Sequence, residues 1–165
     1  MDFFAAEYDK EQPRNEAVFG IVDREGESYA RTTTDVADNP WDVKVRNSSS
    51  TPLHFIPVDK NIVVMQNGNM VSMCDGLLRK LDNSYLAFVE IKNRRKSDFT
   101  HASNQLASTI DFFKANHDVK NFTNRFAFVA DHRRPSFQFS HKVEMNEFHS
   151  RHGFRLMYQG EIEVK

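Results

Sequence analysis

A chain of 165 residues is long enough for one domain with a real core, and 39% hydrophobic with 27% charged residues excludes a disordered chain. A formal net charge of -1 excludes a global field that draws the chain to nucleic acid, so any such contact must come from local clusters. The single cysteine, Cys74, excludes an intrachain disulfide and argues against a structural zinc site built on cysteines.

The N-terminal residues, Met1-Asp2-Phe3-Phe4-Ala5-Ala6-Glu7, have neither the basic start nor the apolar stretch of a secretory signal. No window approaches the roughly 20 apolar residues of a membrane span. A cytoplasmic protein with no membrane partner is therefore expected.

The first third reads as strands and turns. Residues 16–23 form an apolar run, Arg24-Glu25-Gly26-Glu27 is a turn signal, and residues 28–34 are rich in β-formers. Together they predict a hairpin. Asp38-Asn39-Pro40 breaks the chain before an alternating strand at residues 41–46, and residues 47–52 form a polar loop.

The middle third predicts a β-meander. Residues 61–66 are a short strand, Asn67-Gly68-Asn69 is a turn that admits positive φ, and residues 70–80 are a second strand. Residues 81–84 turn into a third strand at 85–92. The period then changes. Asp98 is placed to cap a helix with apolar residues at Phe99, Ala102, Leu106, Ile110 and Phe113, ending near Asn116.

Residues 125–130 return to strand, followed by the polar loop Asp131-His132-Arg133-Arg134-Pro135. A strand at 136–140, a helix at 143–151 and a strand at 154–158 complete the chain. A helix between strands 85–92 and 125–130 is a crossover, which makes those strands parallel and right-handedly connected. The expected class is α/β, α+β-like: one mixed sheet flanked by helices, with its central strands covered on both faces. We divide the single domain into an N-terminal β-rich extension (1–52), a core (53–135) and a C-terminal addition (136–165).

Three ionisable residues interrupt this apolar core. Asp75 lies in Met73-Cys74-Asp75-Gly76-Leu77-Leu78, and Glu90 and Lys92 end the run Leu86-Ala87-Phe88-Val89-Glu90-Ile91-Lys92. Strand side chains alternate, so Glu90 and Lys92 share a face about 6–7 Å apart. Two carboxylates suffice for a hard divalent cation, which prefers oxygen and keeps several waters. A plain same-face ion pair between Glu90 and Lys92 is the competing reading. Basic residues follow at once, Arg94, Arg95 and Lys96, and Arg133 and Arg134 follow the next strand. Segments that leave two parallel strands emerge at one sheet edge, so both groups are placed to contact phosphate there.

From about residue 61 to 130 the chain resembles the PD-(D/E)XK nuclease superfamily. The resemblance rests on Asp75, on Glu90-Ile91-Lys92, on the helix and strand that follow, and on Gln105 in that helix. It implies a restriction-endonuclease-like core and a Mg²⁺ (or Mn²⁺) ion held by Asp75, Glu90 and the backbone carbonyl of Ile91. It also implies Lys92 beside the attacking water, and Gln105 close to that lysine or to the phosphate. The activity implied is hydrolysis of DNA phosphodiesters, by an endo- or exonuclease working as a homodimer or within a larger complex. Two departures leave a second reading open, an inactive member serving as an accessory, immunity or interaction module. Cys74 stands where the family has proline, and the acid many members draw from an N-terminal helix has no clear source. Glu7, Glu11, Glu16 and Asp59 are the candidates. Two further histidine readings are weaker: a transition-metal site from His141, His149 and His152, and His101 reaching the cleft from the Gln105 face of the helix.

Overall fold

A computed structural model describes residues 1–92, 99–134 and 141–165. The expected cap Asp98, the basic residues Arg94, Arg95 and Lys96, and the strand expected over 136–140 lie outside the described residues.

The chain folds as a mixed α+β structure in three layers. The central layer is a five-stranded sheet containing β4 (Leu53–Pro57), β7 (Gly76–Lys80), β8 (Tyr85–Ile91), β9 (Asn124–Ala130) and β10 (Arg155–Tyr158). Its spatial order is β10-β9-β8-β7-β4. β4 pairs antiparallel with β7 and β7 with β8, while β8, β9 and β10 run parallel, so the sheet is mixed as expected. β8 is Tyr-Leu-Ala-Phe-Val-Glu-Ile, and its first six residues are buried. Burial on both faces demands such a run, because alternation leaves no side facing water.

One face of this sheet carries both helices, α1 (Phe99–Asn116) and α2 (Lys142–His152). The α1 stripe is the predicted one: Phe99, Ala102, Leu106, Ile110 and Phe113 are buried, with Thr109 among them. They pack on Leu77, Leu86 and Phe88. Phe88 meets Phe113 edge-on with ring centroids 5.3 Å apart, a favoured aromatic geometry.

The opposite face is covered by a second sheet rather than by helices. β1 (Val18–Val22), β2 (Arg31–Thr33), β3 (Val43–Asn47) and β11 (Glu161–Val164) form it in the order β11-β3-β1-β2. β1 and β2 are the expected hairpin, and β3 is the expected alternating strand. β11 pairs in parallel with β3, so the last residues of the chain join the N-terminal strands. Phe19, Ile21, Val43, Val45 and Ile162 from this sheet pack on Phe55, Leu78, Val89 and Phe128 from the central one.

The meander differs from expectation in its first strand. Residues 61–64 form no strand. β5 (Met65–Gln66) and β6 (Asn69–Met70) are a two-residue ribbon around Asn67 and Gly68, both at positive φ as the turn predicts. The strand beside β7 is β4, which the proline at each flank disguises in the sequence. Pro57 is tolerated because β4 ends the sheet, so no neighbour needs its missing N–H. Residues 71–75 likewise form no strand. Met73 and Cys74 are buried against α1, where the Thr109 hydroxyl accepts a 2.7 Å hydrogen bond from the Cys74 amide.

No helix among the described residues is long and apolar enough to cross a membrane.

Candidate active site

The β7–β8 ladder ends with Gly76 opposite Val89, so the next pair outward is Asp75 with Glu90. Directly opposed residues of an antiparallel pair have Cβ atoms about 4.5–5.5 Å apart. Both side chains continue the face of Leu77 and Phe88, the face that α1 covers. The first-turn end of α1 and the ends of β8, β9 and β10 therefore frame the two acids. Gly76, next to Asp75, lets β7 pack against Phe55 of β4: a Cβ there would stand 2.3 Å from Cζ of Phe55.

The acids are held in unlike ways. One Asp75 oxygen accepts a 2.6 Å hydrogen bond from the Ile91 amide. Glu90 is 5% exposed, and its Oε2 is buried with no partner among the described residues. An orphaned buried carboxylate oxygen is costly and calls for a proton or a cation. Burial raises the Asp75 carboxyl to about 7; the Ile91 N–H opposes this, and the charges of Asp23, Asp59 and Asp42 add to it. Burial and then the adjoining Asp75 raise Glu90 to about 10. The pair thus retains protons at neutral pH when no cation offsets its charge.

Lys92 lies on the same face as Glu90 but pairs with neither acid. Its Nζ donates a 2.7 Å hydrogen bond to the hydroxyl of Tyr158, which ends β10. The competing reading, a plain Glu90–Lys92 ion pair, is absent among the described residues. Arg134 also faces the Tyr158 ring, 5.2 Å from its centroid. Next to Lys92 in the β8–β9 register stands Asp131, 1% exposed. Burial would raise its carboxyl, but the Arg133 guanidinium, bound through two 2.8 Å contacts, carries it below the ordinary value. Arg133 is therefore committed to Asp131.

Gln105 is tied to the segment that leads into Asp75. Its amide donates to Ser72 Oγ at 3.0 Å and lies 3.5 Å from the carbonyl of Met73. Cys74 is a buried thiol raised well above its ordinary value by burial, hence inert.

The candidates for a further acid sort clearly. Thr32 engages Glu11, and Arg14 pairs with Glu16 at 3.0 Å. Asp59 acts on both central carboxyls, and Asp23 at the end of β1 does so from the second sheet. Asp23, Asp131 and Tyr158 are the residues that sequence reasoning did not assign to the site. Asp23 and Asp131 end apolar strands as Glu90 does, which is the signal that could have found them. No three His, Cys, Asp or Glu among the described residues cluster tightly enough to hold a metal by themselves. The three-histidine site is not assembled: His141 stacks on Phe99 at 3.9 Å and His152 faces Asp111 at 3.3 Å. His101 makes its own contacts.

No protein-family model, no curated protein and no solved structure matches the chain. The functional reading rests on the geometry of this sheet end.

Proposed function

We propose that the chain is a small Mg²⁺-dependent phosphodiesterase acting on DNA, built on a restriction-endonuclease-like core of the PD-(D/E)XK type. The observation that carries this is the buried oxygen of Glu90 beside Asp75, without a partner among the described residues, with the Lys92 ammonium on the same face. Two carboxylates fit Mg²⁺ or Mn²⁺, hard ions that need only one or two protein acids and complete their shell with water and phosphate. When bound, the cation polarises a phosphoryl oxygen and lowers the pKa of a water.

Asp75 and Glu90 would hold the ion, with the Ile91 carbonyl as a third oxygen. They must lose their protons to do so, which makes cation affinity rise with pH. Lys92 has donors left beyond the one given to Tyr158, and these orient the attacking water and stabilise charge on the phosphate. Arg134, at the same edge, contributes a phosphate contact without sequence preference. Gln105 fixes the approach to Asp75 through Ser72 and Met73.

A second reading, a binding module without catalysis, is favoured by one observation: no three-donor cluster exists among the described residues. One experiment separates the two. Purified protein is incubated with supercoiled, linear, branched and single-stranded DNA in Mg²⁺, Mn²⁺ or EDTA. We expect metal-dependent cleavage that falls by about 100-fold or more in Lys92→Ala. Calorimetric metal binding without cleavage selects the binding module, and neither binding nor cleavage overturns the proposal.

A further inference from the structure

We infer that Tyr158 is the positioning residue of this centre: it holds the Lys92 ammonium away from the two acids, so that the acids stay open to a cation. This rests on the phosphodiesterase reading and deepens it.

The physical problem is electrostatic collapse. A lysine two residues from a buried glutamate, on the same strand face, is set to fold onto it as an ion pair. Such a pair would occupy the carboxylate oxygens a metal needs and the ammonium protons a nucleophile needs. Lys92 instead donates to Tyr158 at 2.7 Å. Register explains the reach. Glu90 lies beside Val129, and Val129 beside Tyr158, so the three form a row across β8, β9 and β10. The lysine, one step beyond this row, leans across it to the tyrosine.

Tyr158 is well suited to the task. It is 1% exposed, and its ring is packed 5.5 Å from Phe99 and 5.8 Å from His141. Those two rings are themselves stacked at 3.9 Å, so the phenol is clamped between the starts of α1 and α2. Lys92 and Arg134 both lie near its ring, at 5.1 and 5.2 Å from the centroid. One side chain thus gathers two cations on the side of the lysine that the acids do not occupy. The hydroxyl accepts the hydrogen bond from Lys92.

Tyr158→Phe keeps the ring and removes only the hydroxyl. Mn²⁺ affinity is measured by calorimetry, and cleavage by steady-state kinetics, in wild type, Tyr158→Phe, Lys92→Met and the double variant. Losing a hydrogen bond to a charged group corresponds to about tenfold or more, so kcat in Tyr158→Phe should fall by that much with KM for DNA unchanged. Mn²⁺ affinity should weaken several-fold in Tyr158→Phe, because the released ammonium falls onto the acids. In the Lys92→Met background the same change should leave Mn²⁺ affinity unaltered. Unchanged Mn²⁺ affinity and kcat in Tyr158→Phe overturn the inference, as does an effect of equal size without Lys92, which a merely structural tyrosine would give. A wild type that binds no Mn²⁺ overturns it together with the proposed function. Mn²⁺ binding with the expected Lys92 dependence but no DNA cleavage upholds it and overturns only the hydrolysis.

Discussion

Glu90 is the residue on which the proposed chemistry turns, and its burial makes it a stability element too. Asp75 and Glu90 have folded-state values raised above their ordinary ones of 3.8 and 4.5. The folded chain therefore binds more protons than the unfolded chain between those limits, and stability falls as pH rises. Their stabilising contribution is complete below about pH 4. It is lost as pH passes about 7 for Asp75 and about 10 for Glu90. Metal-free protein should melt at lower temperature at pH 8 than these two groups would allow at pH 5, and saturating Mn²⁺ should restore the loss at pH 8. Glu90→Gln removes the acid without changing its size. We expect it to raise the melting temperature of metal-free protein at pH 8 by at least about 2 °C, with little change near pH 4. The same variant should not be stabilised by Mn²⁺. Scanning calorimetry across pH checks each expectation, and a variant that melts below wild type at pH 8 contradicts the first.

At the scale of elements, the site depends on how β7 begins. Asp75 immediately precedes β7, and Gly76 leaves space for the ring of Phe55 from β4. A methyl at Gly76 meets Phe55 carbons at 2.3 and 2.5 Å and the Ile56 carbonyl oxygen at 3.1 Å. Phe55 is 1% exposed, so it has little freedom to retreat. Gly76→Ala should therefore cost about 1–3 kcal/mol in urea unfolding, the range for overpacking a filled core. It should also weaken Mn²⁺ binding, because the strain displaces the backbone that carries Asp75. Neutral stability in Gly76→Ala contradicts this account of the strand start. Legibility in the sequence was uneven among these elements. The three-and-four spacing of α1 and the apolar run of β8 were readable because each has a period of its own. β4 was not, because its prolines are breakers everywhere except at a sheet edge, and edge position is a property of the assembled sheet.

At the scale of the whole molecule, both ends of the chain close onto the same structure. Phe3 is fully buried in the helix-side core, its amide donating to His117 at 3.1 Å. β11 supplies the edge of the second sheet. Charge is distributed without a dominant sign, -1 in total, so any affinity for DNA, as proposed, has to come from local cations such as those at the β8–β9 end. Arg133 binds Asp131 through two contacts and Arg134 approaches the same carboxylate at 3.8 Å, while Lys92 and Arg134 are the cations gathered at Tyr158. Arg134→Ala should weaken binding about equally for all DNA sequences. It should also reduce the slope of log affinity against log salt by about 0.9, the loss of one phosphate contact. Fluorescence anisotropy over a salt series measures this, and an unchanged slope removes Arg134 from the interface.

The sequence by itself determined the local structure with a period or a turn chemistry of its own: the β1–β2 hairpin, the Asn67-Gly68 turn, α1, and the parallel return to β9. It also marked Asp75, Glu90 and Lys92, because charges at the ends of apolar runs stand out without any coordinates. Only the tertiary structure decided what each charge does. It set Asp75 opposite Glu90 through strand register, turned Lys92 to a tyrosine 66 residues away, and committed Arg133 to Asp131. It also put a second sheet where helices were expected. The reason is that periodicity reports which face of an element is buried, whereas pairing partners depend on register between segments distant in the chain. No local pattern of residues encodes that register.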